Sequence, residues 1–172
     1  MTHRAAAILV AFALAASGCG YSLQPVGKNR FSDPSVRIDL SPFANYTPEA
    51  DAGPYIAARL REELRRSGFR GAFDPSAADF LVEGKVREAR DDVFSHGTDR
   101  FALEHRLTVV AEIRVIEVVR GGVLWKDAGV SETVSYFSGP DAQYKEANRR
   151  AAFEEAVRRM VLRMAQTLRV IL

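Results

Sequence analysis

The sequence predicts an α+β domain: a two-layer sandwich in which two helices pack on one face of a four-stranded, mostly antiparallel sheet. Three observations lead there. Four segments alternate apolar and polar residues with a period of two. Two others repeat apolar residues every three or four positions. Their order along the chain is strand, helix, three strands, helix. Each strand then has one face to bury and each helix one stripe, and stacking the helices on the sheet satisfies both.

The first strand lies in "VRIDL", where Val36, Ile38 and Leu40 alternate with Arg37 and Asp39. The turn-rich stretch "SPFANYTPEADAGP" separates it from a helix over about Pro54 to Ser67. Pro54 suits a first helical turn. Ile56, Leu60 and Leu64 form the apolar stripe, Glu62 and Arg66 are spaced for an ion pair, and Gly68 supplies the stop. The second strand is "DFLVEGKVREAR", with Phe80, Val82, Gly84 and Val86 on one face and Glu83, Lys85 and Arg87 on the other. "DDVFSHGTDR" reads as a loop. The third strand is the longest, about Phe101 to Val119. Leu103, Leu107, Val109, Ala111, Ile113 and Val115 hold its apolar face, and His105 falls in phase with them. "RGG" makes a hairpin turn into the fourth strand, Val123 to about Phe137, which loses phase near Lys126-Asp127, where a bulge is expected. The chain closes with a helix over about Tyr144 to Ile171, its stripe formed by Phe153, Val157, Met160, Val161, Met164, Leu168 and Ile171. The first two strands flank a helix and suit a parallel pairing; the hairpins are antiparallel.

Before this domain stands a different kind of segment. Ala5 to Ala16 is an unbroken apolar run of 12 residues, preceded by His3 and Arg4 and followed by Ser17 and Gly18. As a helix it would measure about 18 Å, short of a ~30 Å hydrocarbon core. A basic start, an apolar middle and a small-residue end predict a secretory signal peptide. Directly after it comes Cys19, the only cysteine of the chain, so no internal disulfide can form. "ASGC", Ala16 to Cys19, resembles the lipobox of bacterial lipoproteins, although Ala16 stands where leucine is more usual. The resemblance implies that the Cys19 thiol receives diacylglycerol and that cleavage falls before it. An aspartate after the cysteine would resemble the inner-membrane retention signal of enteric lipoproteins; Gly20 stands there instead, so the resemblance implies the outer membrane. The expected organisation is a signal peptide over 1–18, a lipidated tether over 19–35 and one domain over 36–172.

Composition excludes several classes. With 47% hydrophobic and 27% charged residues and a net charge of +2, the chain is neither a nucleic-acid binder by charge nor a disordered segment. No constellation for an enzyme is visible. His96 and His105 lack a partner at metal-ligand spacing, there is no second cysteine, and neither a nucleophile elbow nor a phosphate loop occurs. No cofactor and no metal are expected. Asp91-Asp92 reads as a solvated turn, and Trp125 as a core or sheet-boundary residue. The outward basic residues Arg87, Arg106 and Arg114 can bind phosphate bidentately, but Glu83, Glu104 and Glu112 share their strands, and cross-strand ion pairing is the simpler use.

Taken together, "GCGYSL", "VRIDLSPFANYT", "YIAARLREELRRSG", "ADFLVEGKVREA", "LEHRLTVVAEIRVIE", "VLWKD" and the closing "YKEANRRAAFEEAVRRMVLRMAQTL" resemble the LptE family of lipopolysaccharide-assembly lipoproteins. The resemblance implies an α/β sandwich without catalytic activity, anchored by acyl chains to the periplasmic face of the outer membrane. It implies a place as plug in the lumen of an LptD β-barrel, which inserts lipopolysaccharide into the outer leaflet. It also implies direct lipopolysaccharide binding. The sequence nominates Arg100 and Lys145 for it, since loop and helix-start positions are not tied into strand-face ion pairs; Arg87, Arg106 and Arg114 come second. The strand-helix-strand part is also similar to CsgG-like secretion components and LpoB-like synthase activators, which makes another envelope binding module the alternative.

Overall fold

A computed structural model describes residues 30–95, 104–139 and 141–172. It contains six strands and two helices: β1 (Arg37–Leu40), β2 (Ala44–Asn45), α1 (Ala52–Arg66), β3 (Ala72–Phe73), β4 (Phe80–Ser95), β5 (Glu104–Glu117), β6 (Gly122–Phe137) and α2 (Ala142–Ile171). The sheet order is β3-β1-β4-β5-β6, with β2 also paired to β4. The α+β class and the two helices agree with the sequence. The sheet has six strands rather than four and is partly parallel: β1 runs parallel to β3 and to β4, and β2 parallel to β4. The two extra strands have two residues each, too few to show alternation, and exist only because β1 and β4 offer them partners. The parallel β1–β4 pair needs a crossover, which α1 supplies.

α1 ends as Gly68 foretells. Gly68 takes φ +95°, its N–H donates to the Arg65 carbonyl at 3.1 Å, and the Phe69 N–H donates to the Leu64 carbonyl at 2.9 Å, a Schellman closure. Glu62 and Arg66 make the anticipated pair at 2.7 Å. α2 starts at Asp141, whose carboxylate accepts from the Tyr144 N–H at 2.8 Å. Along its length α2 runs antiparallel to β6: Asn148 donates to the Phe137 carbonyl and Arg163 to the Ser131 carbonyl, each at 2.8 Å. These contacts occupy carbonyls of an edge strand that would otherwise offer them to another chain, and an Arg163–Glu132 ion pair adds to them.

One core lies between the helices and the sheet. Ile56, Leu60 and Leu64 of α1 and Val157, Met160, Met164 and Leu168 of α2 are buried against Ile38, Val82, Val86, Leu107, Val109, Ile113 and Val115. Trp125 is half-buried at its margin. The core also reaches into the stretch read as tether: Phe31 is 1% exposed and packs edge-on against Phe69 at 5.4 Å between ring centroids.

Two irregularities set which side chains face which layer. β4 shifts register between Val86 and Glu88, so Arg87 bulges and the inward phase passes to Ala89 and Asp91, opposite Val109 and Leu107. β6 shifts between Asp127 and Val130 and again between Val123 and Trp125, close to the break in phase seen at Lys126-Asp127. β4 also runs on to Ser95, so Asp91 and Asp92 lie on a strand and not in a turn. Gly84 allows the layers to close. A Cβ there would stand 2.2 Å from the Phe43 ring, and Gly84→Ala is expected to cost ~1–3 kcal/mol through overpacking, measurable as a lower urea midpoint.

Candidate functional site

The face of β4, β5 and β6 away from the helices is polar and carries no covering element among the described residues. Directly opposed residues of antiparallel strands share a face, so the register groups Glu83 with Arg114 and Lys85 with Glu112 across β4–β5. Arg114 donates through Nε to Glu83 at 2.5 Å. Arg87 Nη1 lies 2.9 Å from Glu112, and Lys126 Nζ reaches the same carboxylate at 3.2 Å. Lys126 and Arg87 hold the Glu112 carboxyl below its ordinary range against the opposing effect of burial. Thr108 and Thr133 hydroxyls meet at 2.9 Å. Arg90 is shared by Glu88 at 3.2 Å and Asp92 at 2.7 Å. The outward charges of this face thus pair mostly with one another. Tyr46, Lys85 and Arg87 line a shallow concavity there.

Of the basic residues nominated from sequence, Arg87 and Arg114 are therefore committed to Glu112 and Glu83. Arg106 is different: its guanidinium lies 3.2 Å over the centre of the Phe94 ring, and among the described residues it forms no ion pair. Lys145 is half-buried in the first turn of α2 and forms no ion pair among the described residues. Arg100 and Cys19 lie outside the described residues. Arg106 and Lys145 occupy the same end of the sandwich, on opposite layers, because α2 begins where β5 starts and β6 ends.

That end holds exposed apolar side chains that periodicity does not flag. Phe94 is 52% exposed, Phe137 62% and Tyr144 57%. Phe137 stands opposite Glu104, and Arg106 opposite Ser135, on the open face. Beneath them, on the helical side, lies a small polar cluster. His105 is buried and stacks on Tyr136 with ring centroids 5.1 Å apart. Asp91 accepts from the Tyr136 hydroxyl at 2.5 Å and lies 3.2 Å from His105 Nδ1. Burial and the hydrogen bond to Asp91 push the Tyr136 phenol above its ordinary value. His105 is a core histidine, as its phase foretold, satisfied at Nδ1 but not at Nε2. No group of three potential metal ligands occurs among the described residues.

The outer surface of the helical layer is laced with ion pairs. Arg149 bridges Glu146 at 2.9 Å and Glu49. Arg158 and Arg159 hold the Glu155 carboxyl down at about 2. No helix among the described residues is long and apolar enough to cross a membrane.

Against this geometry the comparisons can be set. The family model described as "LptE: Lipopolysaccharide-assembly" matches residues 36–168. No curated protein matches the chain. Among solved structures, protein XCC0632 from Xanthomonas campestris superposes with a TM-score of 0.58 at 13% identity, over 87% of this chain and 91% of that one. A candidate lipoprotein from Caulobacter crescentus gives 0.51 at 18% identity, over 74% and 87%. Rare lipoprotein B from Shewanella oneidensis gives 0.47 at 16% identity, over 77% and 89%. The first two superpositions, at these identities, concern the fold alone.

Proposed function

The chain belongs to the lipopolysaccharide-assembly (LptE) family, and from that premise we propose that it is an outer-membrane lipoprotein that plugs an LptD-type β-barrel and supports delivery of lipopolysaccharide to the outer leaflet. Acyl chains on Cys19 hold it to the inner leaflet, facing the periplasm. The observation that carries the reading is the open face of β4–β6. Its charges are neutralised within the face by pairs such as Arg87–Glu112 and Arg114–Glu83, so the surface is wet, polar and nearly neutral. The lumen of a transmembrane barrel is polar and accepts such a surface. The task requires fit and position, and no bond needs to be made or broken.

Lipopolysaccharide is an amphiphile with phosphates beside acyl chains. Arg106 and Lys145, with Arg100 from the sequence reading, supply cations for the phosphates, and exposed Phe94, Phe137 and Tyr144 supply apolar contact. Arg87 and Arg114 are weaker choices because releasing them costs existing ion pairs. The test starts with purification of the native chain from outer membranes, where a large β-barrel should co-purify; a ring of identical chains, or a penicillin-binding protein, would instead sink the assembly role. Arg106→Ala with Lys145→Ala should weaken lipopolysaccharide binding about tenfold or more, since a hydrogen bond to a charged group contributes ~1.5–3 kcal/mol. Wild-type affinity should fall with salt, as exposed charges are screened beyond ~8 Å at physiological ionic strength. Unchanged affinity in the double variant would remove these residues while leaving the barrel partnership intact.

A further inference from the structure

We infer that the tip of the β5–β6 hairpin is a membrane-contacting surface, with Val118, Val119, Val123 and Leu124 entering the headgroup boundary of the phospholipid leaflet that holds the anchor. The inference rests on the reading of Cys19 as acylated. The tip is apolar where a hairpin end is usually polar: Val119 is 87% exposed, Val123 57%, Val118 48% and Leu124 41%. Packing within the domain does not account for them. Val118 and Val119 are consecutive residues of the turn, and Leu124 is the extra residue at a register shift, where Ile116 stands opposite Val123 and Val115 opposite Trp125. The tip is also well tied. Gly121, at φ +64°, donates its N–H to the carbonyls of Glu117 and Val118 at 2.9 and 3.2 Å, and the Val118 N–H donates to the Asp79 carbonyl at 2.9 Å.

A second observation, independent of exposure, says what covers this tip. The chain enters the domain beside it. Arg30 Nη1 lies 3.5 Å from Glu117 at the base of the hairpin, and the Arg30 guanidinium lies 5.3 Å from the Phe80 ring centre. Phe31 follows and is buried. Residues 20–29 link Cys19 to this point, and fully extended they reach about 35 Å. β5 alone, at ~3.4 Å per residue, measures about 48 Å. An anchored Cys19 therefore keeps the hairpin tip within reach of the leaflet in every orientation, while the end carrying Arg106 and Lys145 can stand clear of it. Arg120, whose side chain is 77% exposed, adjoins the valines; its long stem can follow them while its charge stays at headgroup level. Four side chains are too few for a specific protein interface of ~800 Å² per partner, but they suffice for shallow insertion beside an acyl anchor.

Because acylation would consume the thiol of the one natural cysteine, Val119→Cys in the full-length lipoprotein gives a single labelling position. Gln143→Cys, in the first turn of α2, gives the matching control at the opposite end. Each is labelled with an environment-sensitive fluorophore and the protein reconstituted in phosphatidylethanolamine–phosphatidylglycerol vesicles. The label at position 119 should be quenched several-fold more strongly by spin-labelled lipid than the label at 143, and less by aqueous iodide. Equal exposure of the two labels to iodide would overturn the proposal. So would a label at 119 shielded from iodide but untouched by the lipid quencher, which would mean that protein covers the tip. Intact mass of the wild-type chain from the same preparation reports Cys19 acylation separately. If Cys19 carries no lipid, the anchor reading fails by itself, and the label is placed in a Cys19→Ser, Val119→Cys chain and read by titration to saturating lipid, where an unshifted spectrum sinks the tip.

Discussion

Ile113→Ala lowers the unfolding free energy by ~2–5 kcal/mol, out of a total of ~5–15 kcal/mol for a domain of ordinary stability. Ile113 is fully buried, on the interior strand β5, opposite Gly84 of β4 and Asp127 of β6. Its face is that of Val109 and Val115, which meets the helices through Leu60, Val157 and Met164. Few neighbours can collapse into the space. A strand flanked on both sides by ladder hydrogen bonds cannot shift without loss of pairing, so the cavity stays open and the upper part of the range applies. An outward residue of the same strand is the control: Thr108→Ala removes only a surface hydroxyl pair with Thr133 and should stay within about 1 kcal/mol. Urea unfolding of the two variants separates them, and an unchanged midpoint in Ile113→Ala would contradict the assignment of that face to the core.

Cys19→Ala has the largest expected effect on function. We expect the precursor to remain uncut and without acyl chains, visible by mass spectrometry as a retained signal segment and missing lipid. Two or three acyl chains, at ~0.8 kcal/mol per buried CH₂, hold a protein almost irreversibly, so delivery to the outer membrane should fail and assembly with it. The folded domain should keep its melting temperature, because Phe31, the first core residue described, lies beyond Cys19 and its ten-residue link. Wild-type protein isolated with a free thiol and no lipid would refute the anchor. A melting temperature lowered by the substitution would mean that the link itself packs on the domain.

The fold class, the two helices and the core were legible because periodicity is a local property. Which side of a strand or helix is apolar is written in its own residues: Leu107, Val109 and Ile113 on one, Ile56, Leu60 and Leu64 on the other. The stop at Gly68 and the Glu62–Arg66 pair are equally local. The family, too, could be recognised from the run of these segments. What a strand pairs with is not local. β2 and β3 exist because β4 and β1 stand beside them. The bulge at Arg87 turns Asp91 inward to Tyr136 and His105, partners 45 and 14 residues away. Arg87 and Arg114 find their carboxylates 25 and 31 residues away, whereas Arg106, with the same period and the same charge, meets an aromatic ring. A one-residue slip in register would reverse each of these outcomes. The sequence by itself determined the faces; only the tertiary structure decided which charges are already spent, and that the chain enters beside the exposed valines of the hairpin, because both depend on contacts between segments that no local pattern relates.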